Sequence, residues 1–273
     1  MKNIINISNF TIREALSRKI IVTFFAISTF VLIIFALLFT FVPFEDLSGM
    51  VRSNGSDPIN IATEIVKGLK LFVVAPLFGG GLFLSIFSAS SFIPNMLEKG
   101  VVDLIVSKPI SRTQIILGKF LGGVLIVLIN IAYLIIILWI LIGLKFNIWD
   151  IALLSSILTI TFTFASLYAL IILVGILTQS SILAMMLSYI IFFVLSPILT
   201  ARDTISTFLN SSLMEWIMDI LYYIIPKTSE LGSLSTELAM GYGIDEYQPI
   251  LSTFIFLVLV LYISIIIFSK KDY

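Results

Sequence analysis

The sequence predicts an all-α integral membrane protein with six transmembrane helices. Hydrophobic residues make up 59% of the 273 residues, charged residues make up 12%, and the mean hydropathy is +1.16. Such values lie outside the range of soluble globular domains. Six apolar runs also approach or exceed the roughly 20 residues that a helix needs to cross a bilayer. They are 20–42, 71–93, 120–144, 151–177, 182–199 and 250–268, and we interpret 1–273 as a single transmembrane domain.

Residues 1–19 predict an N-terminal helix that lies at the membrane interface, because apolar and polar residues are mixed there without a span-length apolar run. Thr11 followed three residues later by Glu14 is the pattern of a capping box. Glu14 and Arg18 form an i,i+4 pair in the favourable order. We expect the neighbouring basic residues to reach the lipid headgroups.

Polar and small residues inside the spans are the next signal. Gly79, Gly80 and Gly81 lie in the second span, and small residues permit close approach of neighbouring helices. The third span holds one polar residue, Asn130, which fits either an interhelical hydrogen bond or a contact with a transported substrate. The hydroxyl side chains of the fourth span fit either helix packing with hydrogen bonds to the backbone or the polar wall of a substrate pathway. The candidate pathway-lining residues are Ser155, Thr159 and Thr163.

The stretch between the fifth and sixth spans is too long for a simple linker. Apolar residues at helical spacing from Leu213 to Ile224 mark one face of a helix that Pro226 ends. Because Glu215 and Asp219 lie in this short stretch, we predict an interfacial or re-entrant helix rather than a seventh span. Its aromatic residues predict a belt at the outer interface, formed by Trp216, Tyr222 and Tyr223.

The distribution of charge predicts the orientation, although the formal net charge is zero. Alternating the spans from the N-terminus puts ten of the sixteen basic residues on the N-terminal side and twelve of the sixteen acidic residues on the other side. The positive-inside rule then predicts that both termini and the segment between the second and third spans face the cytoplasm.

A long polar interruption in the first two thirds of the chain is Pro94–Leu121. Apolar residues recur at helical spacing in its first half, at Leu97, Val101, Leu104 and Ile105. Pro109 ends that helix, since proline disfavours helical geometry in the residue before it. Ser111 and Gln114 form a capping box for the next helix. We predict a short helix across the cytoplasmic ends of two spans, joined by a rigid elbow to the third span.

Several kinds of chemistry are disfavoured by the sequence. Histidine and cysteine are absent, which removes the commonest bases, thiol nucleophiles and metal ligands. Gly118-Lys119 is not a phosphate-binding loop, because Thr113 stands where the upstream glycine should be. No charged residue lies in the middle third of a span, which argues against a proton-coupled transporter. We therefore expect no catalytic residue, metal site or cofactor in this chain.

The central segment resembles a motif in the permease subunits of type-2 ABC exporters, particularly the branch that includes the nitrous-oxide-reductase maturation permease. The resemblance is carried by Glu98, Lys99, Gly100, Asp103, Leu104, Ser107, Lys108, Pro109, Ile110, Ser111, Arg112, Gly118 and Lys119. Those permeases also have an N-terminal interfacial helix, six spans, a cytoplasmic coupling helix between spans two and three, and re-entrant helices before span six. Each of these features has a counterpart in the elements predicted above.

The resemblance implies a permease, as a homodimer or a related heterodimer, that exports a substrate across a prokaryotic cytoplasmic membrane. It implies two cytoplasmic ABC ATPase subunits, which would bind ATP and magnesium and dock on the coupling segment 94–114. The implied docking residues are Leu97, Glu98, Lys99, Gly100, Val101, Asp103, Leu104, Ser107, Pro109, Ser111 and Arg112. Lys119 would extend to the inner headgroups.

The sequence leaves the substrate open among lipids, hydrophobic peptides, antibiotics and small sulfur- or metal-linked species, and no nucleic-acid partner is expected. Two other classes of function also fit a polytopic chain of this composition. An ion channel or stand-alone carrier would need no ATPase. A membrane scaffold would recruit a cytoplasmic protein without moving a substrate.

Overall fold

The structure, a computed structural model, describes residues 2–17, 19–41, 58–97, 110–209 and 212–271, and every regular element in these ranges is helical. Six stretches are long and apolar enough to cross a membrane, which confirms the predicted fold class. We call them spans one to six: Ile21–Phe41, Thr63–Met96, Arg112–Phe146, Ile151–Thr178, Ser181–Thr200 and Gln248–Lys270. The predicted helix between spans two and three lies outside the described residues, apart from Leu97.

Short interruptions divide some spans into more than one helix. The α-helices in chain order are α1 Lys2–Ser17, α2 Ile20–Phe41, α3 Pro58–Pro76, α4 Leu82–Ala89, α5 Phe92–Met96, α6 Arg112–Phe146, α7 Ser155–Thr178, α8 Ser181–Tyr189, α9 Ser196–Thr200, α10 Arg202–Leu209, α11 Ser212–Ile224, α12 Thr228–Ala239 and α13 Gln248–Lys270. A π-helical turn separates α3 from α4 at Leu77–Gly81, and another separates α8 from α9 at Ile190–Leu195. A 3₁₀ turn, Ile151–Leu154, opens span four.

Span four forms the centre of the molecule. Within its most apolar stretch 83% of the residues are buried, against 17–39% in the other five spans. A helix that is apolar on all sides suits such a position, because every face meets protein. Several of its hydroxyl groups bond within the helix: Thr163 donates to the Thr159 carbonyl at 2.9 Å and Ser166 to the Thr163 carbonyl at 2.8 Å. The packing interpretation of these hydroxyls therefore agrees with the structure.

The N-terminal helix is present, and the capping-box pattern at Thr11 does not mark its start. α1 runs without interruption from Lys2 to Ser17, and the Thr11 hydroxyl donates to the Ile7 carbonyl at 2.9 Å. Thr11 is fully buried where α1 faces α6, close to Gly122. Packing against another helix therefore stabilises α1 on both sides of Thr11, and this contact outweighs the local capping pattern.

Span two begins earlier in the chain than the sequence predicts, because a buried ion pair lets a lysine enter the helix. Lys70 is 2% exposed, and its ammonium group bonds the Asp150 carboxylate at the start of span four. Asp150 also caps the 3₁₀ turn by accepting from the Ala152 amide at 2.9 Å. Although burial opposes ionisation, the hydrogen bonds from Lys70 and Ala152 hold the pKa of Asp150 below its ordinary value.

Within the described residues, helices α10, α11 and α12 occupy the stretch before span six. α11 is present and ends at Ile224, before Pro226, as predicted. α12 was not predicted, because its buried positions are largely small or polar and give no apolar stripe. It packs on span four, where Thr159 donates to the Ser235 hydroxyl at 2.8 Å, and on span two, where a Cβ at Gly232 would lie 2.9 Å from the Phe78 ring.

The predicted aromatic belt is wrong for one of its three members. Trp216 and Tyr223 are exposed on α11, but Tyr222 is buried, with 7% of its surface exposed. The Arg202 guanidinium lies 3.5 Å from the Tyr222 ring centroid and the Lys227 ammonium 3.1 Å from it. The Tyr222 hydroxyl donates to the Gln248 side chain at 3.2 Å. Tyr222 thus connects α10, the turn between α11 and α12, and span six instead of facing lipid.

Candidate functional site

The first turn of α6, in the last residues of the predicted coupling segment, carries the predicted capping box. Ser111 Oγ accepts from the backbone N–H of Gln114 at 3.3 Å, and Gln114 Oε1 accepts from the backbone N–H of Ser111 at 3.4 Å. α6 then runs for 35 residues, about 52 Å at 1.5 Å per residue. That length exceeds the roughly 30 Å of a bilayer core, so part of α6 extends beyond the hydrocarbon region.

α1 packs along the first three turns of α6. Asn3 donates to Gln114 at 3.1 Å, Gly118 faces Ile7 and Gly122 faces Thr11, and each pair is 111 residues apart. A constant separation means that the two helices run parallel. A Cβ at Gly118 would lie 2.6 Å from Ile7 Cβ, and one at Gly122 would lie 2.7 Å from Thr11 Cβ. The two glycines therefore permit a close helix contact that larger residues would block.

Lys119 does not extend to the headgroups as predicted. Its side chain is 2% exposed, and its ammonium group lies 2.6 Å from Glu14 Oε2 on α1. The Phe10 ring lies 5.5 Å from the same ammonium group. Glu14 provides a nearby counter-charge, which offsets the cost of burying the lysine. Gly118 and Lys119, adjacent in the sequence motif, thus both serve the contact between α1 and α6.

Arg112, predicted to contact an ATPase, makes contacts within the chain. Its guanidinium donates to the Phe268 carbonyl at 3.0 Å, to the Ser269 carbonyl at 3.3 Å and to the Lys271 carbonyl. The last carbonyls of a helix have no partner within that helix, so Arg112 satisfies the end of α13. Lys271 in turn donates to the Ile176 carbonyl of span four at 2.6 Å. These bonds join the ends of spans three, four and six.

The remaining predicted docking residues fall into two groups. Leu97 lies in the hydrophobic core of this chain, where α5 ends, which differs from the predicted position in a partner's cleft. The others lie outside the described residues: Glu98, Lys99, Gly100, Val101, Asp103, Leu104, Ser107 and Pro109. A cavity of about 370 Å³ lies between α1 and the residues that flank this segment, Met96 and Ile110.

A second cavity, of about 460 Å³, lies inside the membrane region between spans one, two and three. Most of its described lining is apolar, with Phe24, Val31 and Phe35 from span one among the lining residues. The polar members of the lining are Ser28, Ser85 and Asn130. We call this space the span 1–3 cavity.

Asn130 makes the interhelical hydrogen bond that was one of its two predicted roles, because Oδ1 accepts from the Ser28 hydroxyl at 3.1 Å. It also lines the span 1–3 cavity. The structure does not bring the other three pathway candidates to the described lining of this cavity. The Ser155 hydroxyl donates to the Ala152 carbonyl at 2.6 Å. The Thr159 hydroxyl donates to Ser235 where span four meets α12, and the Thr163 hydroxyl donates to the Thr159 carbonyl within span four.

Sequence reasoning missed Glu14 and Gly122 as partners of the segment around Lys119. Glu14 has a suitable local neighbour in Arg18, and nothing local indicates a partner 105 residues away. Gly118 and Gly122 did carry a signal, since small residues four positions apart indicate a close helix contact. The identity of the opposing helix could not be read from that spacing.

The comparisons with known proteins agree with this architecture. The family model described as "ABC-2 family transporter protein" matches residues 61–273, which cover spans two to six and more than three quarters of the chain. No curated protein matches the chain. Membership in this family implies a multi-pass membrane permease and an ATPase partner. The chain therefore belongs to the ABC-2 family of transporter proteins, as a membrane permease of an ABC transporter.

Proposed function

We propose that this chain is the permease subunit of an exporter in which two ATPase subunits dock on the coupling segment 94–114 of a permease dimer. The observation that carries the proposal is α6, a single helix from Arg112 to Phe146 whose capped start lies in the last residues of this segment. A continuous helix transmits a displacement of its first turn along its whole length. Movement of the docked ATPases would therefore reach the far end of span three.

The contacts at the start of α6 support a coupled movement of several elements. α1 is fixed to α6 by the close approach at Gly118 and Gly122 and by the buried Glu14–Lys119 pair. Arg112 connects the same turn of α6 to the end of α13. A force applied at residue 111 would thus act on α1, α6 and α13 together, which is what a coupling site requires.

The finer assignments in this proposal rest on the resemblance of the motif from Glu98 to Lys119. They are export as the direction, the branch that includes the nitrous-oxide-reductase maturation permease, and a prokaryotic cytoplasmic membrane with both termini inside. ATP and magnesium would bind in the ATPase subunits, and this chain would supply no cofactor site. Glu98 and Asp103 would make the polar contacts with the ATPase.

The test is co-purification of the ATPase with the tagged chain from its native membranes, followed by an ATPase assay. We expect Glu98→Arg combined with Asp103→Arg to reduce the recovered ATPase about tenfold or more, as expected when like charges replace interface contacts. Asp245→Arg combined with Glu246→Arg is the matched control, since both residues are exposed on the predicted outer side. Arg112 is left intact, because its loss would also release the carbonyl groups at the end of α13.

Two results would contradict the proposal. Equal recovery of the ATPase from both double variants would place the docking surface elsewhere. A preparation with no nucleotide-hydrolysing partner would favour the alternatives: flux in liposomes that contain this chain alone would indicate a channel or carrier, and a bound partner without nucleotide-dependent changes in span accessibility would indicate a scaffold.

A further inference from the structure

We infer that the span 1–3 cavity is a substrate site, and that its substrate is a neutral amphiphile carrying a hydrogen-bond acceptor next to an apolar chain. The inference rests on the proposed function for the statement that the occupant is transported. The site itself is argued from the shape of the cavity, the polar groups in its wall and the side chains at its mouth.

The cavity is a gap between two spans that both pack on a third. Span one contacts α6 through Ser28 and Asn130, and the cavity separates it from span two over several turns. At the outer end the Phe35 and Phe72 rings approach to 6.3 Å in an edge-to-face arrangement. Phe72 and Ile27 are exposed side chains of the cavity lining, so the gap opens on the lipid-facing surface. A ligand could therefore enter from the bilayer, beneath the Phe35–Phe72 contact.

The polar groups in the wall define the chemistry of the ligand. Ser85 donates to the Gly81 carbonyl at 2.7 Å, and Ser28 donates to Asn130 Oδ1 at 3.1 Å. Within the part of the chain that the structure describes, the Asn130 amide nitrogen has no hydrogen-bond acceptor. An amide donor without an acceptor is costly in a water-free environment. An ester, amide or ether oxygen of a ligand would satisfy it.

The described lining also limits the charge of the ligand, because it contains no ionisable side chain. A charged headgroup inside the membrane needs a counter-charge or water, and these residues offer no counter-charge. The apolar lining, which includes Phe24, Phe35 and Leu134, suits a hydrocarbon chain. The ligand is thus uncharged at the end that meets Asn130, and apolar along the rest.

The glycines of the π-helical turn keep the cavity open on the side of span two. Gly80 lines the cavity, and a Cβ added there would meet no atom within 4 Å. Gly79 is equally unobstructed but is not part of the lining. A larger side chain at Gly80 would therefore fill part of the cavity without a steric clash, while the same change at Gly79 would leave the cavity unchanged. This pair of adjacent positions provides a matched control.

The binding test uses the full chain in nanodiscs of phosphatidylcholine, with a diacylglycerol that carries a photoactivatable diazirine in one acyl chain. Crosslinked peptides are mapped by mass spectrometry. We expect labelling of spans two and three at the cavity, reduced about fivefold by Gly80→Leu, whose side chain occupies cavity volume, and unchanged by Gly79→Leu. We expect Asn130→Leu, which removes the donor at nearly constant volume, to reduce it about three- to tenfold.

The second arm distinguishes a substrate from bulk or resident lipid. Phosphatidylcholine with the same diazirine chain should label the cavity weakly and show no dependence on Asn130. Equal labelling by both probes, unaffected by Gly80→Leu and Asn130→Leu, would overturn the site. In the complex with an active ATPase, cavity labelling by the diacylglycerol should change on addition of ATP, and labelling independent of nucleotide would overturn the role as substrate site. The nanodisc measurement needs no ATPase, so its outcome is separate from that of the docking test.

Discussion

Glu14→Gln should destabilise the chain far more than the loss of an ordinary ion pair, because it leaves the Lys119 ammonium in a site that is 2% exposed. Removing one partner of a buried pair typically costs about 3–5 kcal/mol. Because 15% of the Glu14 side chain is exposed, we expect the free energy of unfolding to fall by about 3 kcal/mol, the lower end of that range. The midpoint of thermal unfolding in detergent should then fall by about 6–12 °C for a chain of this size.

The measurement is a double-mutant cycle with Lys119→Met, followed by far-UV circular dichroism on heating. The double variant buries no unpaired charge, so it should be more stable than the sum of the two single changes predicts, by about 2 kcal/mol. Glu64→Gln is the control, since Glu64 pairs with Lys67 at 3.1 Å on an exposed surface, where a pair is worth less than about 1 kcal/mol. Equal effects of Glu14→Gln and Glu64→Gln, or simple additivity in the cycle, would refute this reasoning.

Three further predictions follow from other contacts. Gly118→Leu should separate α1 from α6 and lower the free energy of unfolding by about 1–3 kcal/mol, because its Cβ would lie 2.6 Å from Ile7 Cβ. Gly79→Leu is the control, since a Cβ there meets open space. Equal losses of stability in the two variants on thermal unfolding would contradict this. Ser111→Ala should cost about 1 kcal/mol and speed hydrogen exchange of the first amides of α6, because it removes the cap; unchanged exchange would show that the cap contributes nothing. Burial lowers the pKa of Lys227 to about 8, so the unfolded chain, with an ordinary lysine pKa of about 10.4, binds more protons between these values. Stability should therefore rise as the pH increases from about 8 to 10, and Lys227→Met should flatten that rise; parallel pH profiles of the two proteins would exclude Lys227 as the cause.

The spans and the cap of α6 were predictable because their signals are local. A run of apolar residues such as 120–144 must be covered by lipid or protein wherever it lies in the fold. The capping box of Ser111 and Gln114 satisfies backbone groups within four residues, so its spacing suffices to place the helix start. Pro226 ended α11 for an equally local reason, since proline cannot continue a helix.

The errors concern residues whose partners are distant in the chain. Lys70 lies outside the predicted second span and Lys119 is predicted to reach the headgroups, because a lone lysine near a span normally reaches water. Each is instead paired with a carboxylate on another helix, 80 and 105 residues away along the chain. Tyr222 is predicted at the interface because aromatic residues are enriched there, but Arg202 and Lys227 cover its ring.

By itself, therefore, the sequence determined that the chain crosses a membrane six times and where its third span begins, since burial of apolar residues and capping of helix ends depend on near neighbours. Only the tertiary structure decided which charges are buried, that α1 lies along α6 and that spans one to three enclose a cavity. Those properties depend on which helix faces which, and the face of a membrane helix that meets protein is as apolar as the face that meets lipid. Hydropathy cannot distinguish the two faces, so the pairing of helices became known only when all of them were in place.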